Sequence, residues 1–124
     1  MRIAIPTNDH ETIAGRLSEA RGVMVYRIEK GKLRGRLFRY FRFWKILQNE
    51  GLKDRFFRRF SECFRECDWL VIKEMHPGLQ EYLRNSGIRI HQTQHERLAD
   101  IVKEMIDITN KEEEAYVQTK EVPR

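Results

Sequence analysis

The hydrophobic period of this chain changes several times, and that alternation limits its fold more than any other feature. Residues 2–6, Arg-Ile-Ala-Ile-Pro, read as a short buried strand closed by Pro6 and the turn-forming Thr7-Asn8-Asp9. A loop with one helical turn follows over residues 15–20. Val23-Met24-Val25-Tyr26-Arg27-Ile28 is rich in β-formers, and Glu29-Lys30-Gly31-Lys32 is a hairpin signal. The partner strand should run from about Leu33 to Phe43, with Gly35 marking a bulge. Over residues 51–67 the period becomes helical: Leu52, Phe56, Phe60, Cys63, Phe64 and Cys67 recur at spacings of three and four. Asp68-Trp69-Leu70-Val71-Ile72 is then a buried strand.

Pro77 suits the first turn of a helix that ends at Asn85-Ser86-Gly87. Ile88-Arg89-Ile90-His91 forms a last strand, and Thr93 with Glu96 has the spacing of a capping box. Leu98, Ile101, Val102, Met105 and Ile106 mark the core face of a final helix. The pattern fades from Asn110, which suggests a single α/β domain over residues 1–109 and a polar tail over 110–124. A hairpin followed by βαβ units predicts a mixed five-stranded sheet of order 3-2-1-4-5, flanked by helices.

Composition narrows the class. The 124 residues are 40% hydrophobic and 35% charged, with three Pro and seven Gly, which excludes collagen-like and low-complexity chains. No apolar run approaches the roughly 18–20 residues that span a bilayer. Two cysteines are too few for a disulfide scaffold, so the expectation is a cytoplasmic protein with free thiols and no membrane partner. Cys63 and Cys67 share the phenylalanine stripe and read as core.

Charge is uneven. Residues 27–60 hold 12 basic and 3 acidic residues, within a chain whose net charge is +5. Basic residues mixed with aromatics suit a nucleic-acid surface, but the helical spacing of the phenylalanines assigns those rings to a core.

Several segments together resemble the dinitrogenase iron–molybdenum cofactor-binding family, small carriers and accessory domains with a ribonuclease H-like fold motif. Met1-Arg2-Ile3-Ala4-Ile5-Pro6-Thr7-Asn8-Asp9 is similar to that family's opening strand and loop. The run from Ala20 to Tyr26, with Glu29-Lys30-Gly31-Lys32, is similar to its second strand and turn. Cys67-Asp68-Trp69-Leu70-Val71-Ile72 resembles its Cys-Asp-hydrophobic strand, and Met75-His76-Pro77 with Gly87-Ile88-Arg89-Ile90 resembles its Gly-Met-Gly-Pro turn and Gly-Ile-Lys-Val strand. The resemblance touches most of residues 1–108, with 33–62 matching poorly. Where the family often carries His-Phe-Gly-Arg-Ala, this chain has Arg16-Leu17-Ser18-Glu19-Ala20, and His76 replaces the turn glycine.

The resemblance implies a non-catalytic carrier of an iron–molybdenum or other metal–sulfur cluster, working with a cofactor-assembly or client protein. In open α/β sheets, ligands sit beyond the carboxyl ends of the strands. The expected contacts there are Asn8, Asp9, Arg16, Met75, His76 and Thr93, with His10, His76 and His95 as candidate metal ligands. Solvated loop histidines are the competing reading. A second hypothesis is a basic interaction module, around Lys32, Arg34, Arg36, Arg39, Arg42, Arg55, Arg58 and Arg59, that binds nucleic acid or an acidic protein. The edge of the third strand could also join two copies as a homodimer. Enzyme motifs are missing: there is no Gly-x-Gly-x-x-Gly, P-loop or Gly-x-Ser-x-Gly. The expectation is no catalysis.

Overall fold

The computed structural model describes residues 1–41, 62, 64–74 and 77–121. Residues 42–60 of the basic–aromatic segment, including the stripe from Leu52 to Phe60, lie outside the described residues, as does Cys63. Five strands, β1 (Arg2–Thr7), β2 (Gly22–Glu29), β3 (Lys32–Tyr40), β4 (Trp69–Ile72) and β5 (Arg89–Gln92), form one sheet of order β3-β2-β1-β4-β5. Helix α1 (Pro77–Asn85) joins β4 to β5, and α2 (Leu98–Glu121) follows β5. β1 runs antiparallel to β2 and parallel to β4, and β4 runs parallel to β5. The expected order holds.

The central strands β1, β2 and β4 are buried on both faces, so they read as continuous apolar runs rather than alternating ones. Ala4, Val23, Val25, Leu70 and Ile72 pack on one side with Leu17, Phe64, Leu83 and Ile88. Ile3, Ile5, Met24, Tyr26, Trp69 and Val71 pack on the other with Leu98, Ile101, Val102 and Met105 of α2. Residues one apart on a strand thus serve opposite cores, as the pleat demands. Phe64 and Cys67 are buried as core residues, but the expected helix does not reach Cys67: residues 64–66 form a turn with Glu66 at φ 70°, closed by the Cys67 N–H on the Phe64 carbonyl. Burial pushes the Cys67 thiol pKa up, with Asp68 and Glu66 adding to it and Arg39 and Arg2 opposing.

The hairpin turn places Lys30 at φ 52° and Gly31 at φ 73°. Two successive left-handed residues match the strand twist, as in a type I′ turn. The bulge falls beside Gly35: Arg27 pairs with Gly35 and Ile28 with Leu33, leaving Arg34 as the extra residue.

Two further expectations change. Helix α2 does not fade at Asn110 but continues to Glu121. Asn110 sits against the hairpin turn, its Oδ1 3.0 Å from where a Cβ on Gly31 would stand, and Glu112 is bound by Arg89 of β5. Tertiary contacts therefore carry the helix past the end of its apolar stripe. The Thr93–Glu96 capping box does not form either. Thr93 Oγ1 accepts the His95 N–H at 3.1 Å, and the Glu96 carboxylate pairs with Lys73 instead. Arg97 opens the helix through its carbonyl, which accepts the Asp100 and Ile101 N–H groups at 3.1 Å.

Candidate functional site

The carboxyl ends of β1, β4 and β5 meet at one edge of the sheet, and the loops beyond them are joined by backbone bonds. The Ile13 N–H donates to the Glu96 carbonyl, and the Leu98 N–H to the Glu11 carbonyl, both at 2.9 Å. Thr12 bridges to Arg97 and Arg16 to Glu74. The Thr93 N–H donates to the Ile72 carbonyl at 2.9 Å, stitching the loop after β5 to the end of β4. The result is a braced surface rather than three independent loops.

Asp9 explains how the first loop holds its shape. Its Oδ1 accepts the Thr12 N–H at 2.7 Å and the Glu11 N–H at 2.9 Å, and its Oδ2 accepts the Thr12 hydroxyl at 2.8 Å. Those bonds, the Thr12 N–H foremost, hold its carboxyl far below the usual carboxylate range. Asn8 plays a related part: its Oδ1 accepts the Arg21 N–H at 2.7 Å and anchors the start of β2. Thr93 is buried and bonded within its own turn. Asn8, Asp9 and Thr93 thus lie at the expected edge, with their side chains occupied in shaping it.

Outward groups at this edge are Arg16, His10 and His95. The Arg16 side chain is 67% exposed and its Nε stands 3.7 Å from Glu74 Oε2, a loose surface pair. His10 adopts φ 65° and lays its ring 4.1 Å from the Phe38 ring, tilted by 30°. His95 Nε2 lies 3.0 Å from Glu104 Oε2. Met75 and His76 lie outside the described residues. Among the described residues, no three His, Cys, Asp or Glu side chains are grouped to hold a metal ion.

His91 and Glu104, which no sequence motif singles out, join the candidate His95 in a cluster beside this edge. His91 of β5 points Nε2 at Glu104 Oε1, while His95 approaches the other oxygen of the same carboxylate. One glutamate of α2 therefore clasps both the strand and the loop that follows it. Two residues back along β5, Arg89 makes a fork of bonds to Glu112 at 2.8 and 2.5 Å and lies 4.0 Å over the Trp69 ring. Alternate strand residues share a face, and Glu104 and Glu112 lie two helical turns apart. The spacing His91-x3-His95 is visible in sequence, but nothing local joins it to Glu104.

A groove of about 400 Å³ beside α2 is lined by His95, Lys103, Glu104 and Asp107. A larger one, about 730 Å³, lies at the opposite end of the sheet among Met1, Asp68, Trp69, Gly87 and Arg89.

An antiparallel hairpin joined to parallel strands, with exposed loops at one strand end, defines a small α/β protein of ribonuclease H-like sheet order. Its sequence matches the family described as dinitrogenase iron-molybdenum cofactor over residues 1–108, and the chain belongs to that family. Among solved structures it is similar to PH0822, with 18% identity and a TM-score of 0.66 over 86% of this chain and 89% of that one. It is also similar to mj0327 of Methanocaldococcus jannaschii, which carries a provisional dinitrogenase name. There the identity is 12% and the TM-score 0.62, over 86% and 88% of the two chains. At these identities the likeness concerns the fold. Comparison with curated proteins finds no match. No described helix is long and apolar enough to cross a membrane.

Proposed function

We propose that this chain is a small non-catalytic carrier whose cargo is a metal–sulfur cluster, of the iron–molybdenum kind its family name implies, or another anionic cofactor. The observation that carries the reading is the braced edge where the loops after β1, β4 and β5 are bonded into one surface, in a chain of this family. The donor set suits a cluster that arrives with its own bridging ligands better than a lone ion. Arg16 offers an exposed guanidinium to an anion, His10 offers an exposed imidazole, and His95 can add its own by leaving Glu104. Such a surface can hold and release cargo to a cofactor-assembly or client protein, and the reading places this work in the cytoplasm.

Catalysis has little to work with at this edge. The Asp9 carboxylate is committed to its own loop, and Asp68 lies at the far end of β4, where its Oδ2 accepts the Arg2 N–H at 2.8 Å. A ribonuclease H-type reaction needs carboxylates converging on divalent metal. Hydrolysis of RNA by the purified protein, lost on Asp9→Asn, would overturn the non-catalytic reading.

The carrier reading is tested by anaerobic titration with isolated iron–molybdenum cofactor, an iron–sulfur cluster and simple divalent ions, followed by residue-resolved NMR. Expected are shifts centred on residues 8–16, 73–77 and 93–97, weakened in Arg16→Ala, His10→Ala and His95→Ala. No binding by any of these probes, or shifts centred away from those loops, would sink it.

A further inference from the structure

Strand β3 is an edge strand, and among the described residues no strand lies along its outer side. Its backbone direction follows from the ladder. The Met1 amino group donates to the Ile28 carbonyl at 3.0 Å, and the Ile28 N–H returns a bond to the Met1 carbonyl at 2.8 Å. Bonded and non-bonded pairs alternate along an antiparallel ladder. Ile28, Tyr26 and Met24 therefore turn their backbone groups to β1, and Arg27 and Val25 turn theirs to β3. Gly35 and Leu37, the partners of Arg27 and Val25, face inward. Arg36, between them, directs its N–H and carbonyl to the open edge. Leu33, opposite Ile28 across the bulge, does the same.

The side chains along this edge have an unusual composition. Leu33 is 47% and Leu37 61% exposed; the bulge sets Leu33 beside Ile28 and Leu37 beside Val25, so each face of this strand carries one exposed leucine. Lys32, Arg34 and Arg36 are exposed between and beside them. A Cβ added at Gly35 would meet nothing within 4 Å, so the surface is open there as well. The nearby acid, Glu29, stands 3.8 Å from Arg27. Natural edges are often blunted with cations, but exposed leucines in the same strand work against that protection.

We infer that β3 receives an extended acidic segment of a partner protein as an added strand. Outward N–H and carbonyl groups supply the ladder, Leu33 and Leu37 supply apolar contacts, and Lys32, Arg34 and Arg36 select acidic side chains. A second copy of this chain fits poorly. Antiparallel self-pairing about Arg34 would set Lys32 against Arg36, cation on cation. Nucleic acid would satisfy the cations but would use neither the leucines nor the outward backbone. The inference goes beyond the carrier reading and does not depend on it, because the strand edge and the strand-end loops use different residues.

The test is fluorescence anisotropy with a labelled eight-residue peptide of alternating Glu and Val. Oligoglutamate and a single-stranded oligonucleotide of equal charge serve as comparisons. Arg36→Pro removes an outward N–H without touching the β2 ladder, and should weaken the alternating peptide at least tenfold while the dispersion of amide signals is kept. The pair Arg34→Glu and Arg36→Glu should lose the acidic peptide and gain one of alternating Lys and Val, which separates loss of recognition from loss of fold. Equal binding of oligoglutamate, tighter binding of the oligonucleotide, insensitivity to these substitutions, or a concentration-dependent dimer occupying the edge would each overturn the inference.

Discussion

Asp9 shows how a residue can lie at a functional edge and still be structural. The sequence around it, Thr7-Asn8-Asp9, announces a turn, since short polar side chains bond their own backbone. What it does not announce is that both carboxylate oxygens are used within the loop. Its folded pKa lies below the unfolded value of about 3.9, so the unfolded chain takes up the proton first as pH falls. The stabilisation is present above that value and is lost as pH drops through the folded pKa. Asp9→Asn should therefore show a shallower loss of stability below about pH 4 than the parent, read by urea midpoints across pH. An identical acid slope would mean that the carboxylate is not what holds the loop. His10, one residue on, was legible as an exposed loop histidine, but its contact with Phe38 joins residues 28 positions apart and leaves no local trace.

The hairpin was the most legible element, because a turn with two left-handed residues is a local demand that Lys30-Gly31 advertises. Gly22, at the far end of the same hairpin, carries a demand that only packing creates. A Cβ there would run into the Arg39 carbonyl oxygen and stand 2.7 Å from the Phe38 ring. Backbone cannot give way as a flexible side chain can. Gly22→Ala should loosen this end of the hairpin, with faster amide exchange at Val23 and a lower melting temperature; unchanged exchange would show that the strands slide apart at no cost. Helix α2 makes the complementary point. Its apolar stripe was readable up to Ile106, while its continuation rests on Asn110 at the hairpin turn and Glu112 on Arg89. Propensity sees neither contact.

Stability should be divided unequally between the two kinds of contact that hold α2 to the sheet. Ile101 is fully buried in the core between them, and Ile101→Ala should cost about 2–5 kcal/mol. The Arg89–Glu112 pair is about half exposed, and Glu112→Ala should cost no more than about 1 kcal/mol, less at high salt. Chemical denaturation of the two variants side by side checks the ranking; a larger loss from Glu112→Ala would mean that the clasp, not the core, retains the helix. The sheet order was recoverable from sequence because it follows from local periods and from connection rules that apply to any chain of this pattern. The position of the candidate edge was recoverable for the same reason, since strand order dictates which loops meet. What the tertiary structure alone decided was where each polar side chain goes. Glu96 was taken by Lys73 rather than by its own helix cap, and Glu104 gathered His91 and His95 from outside its element. Those pairings depend on distances between elements, which hydrophobic spacing along one chain does not encode.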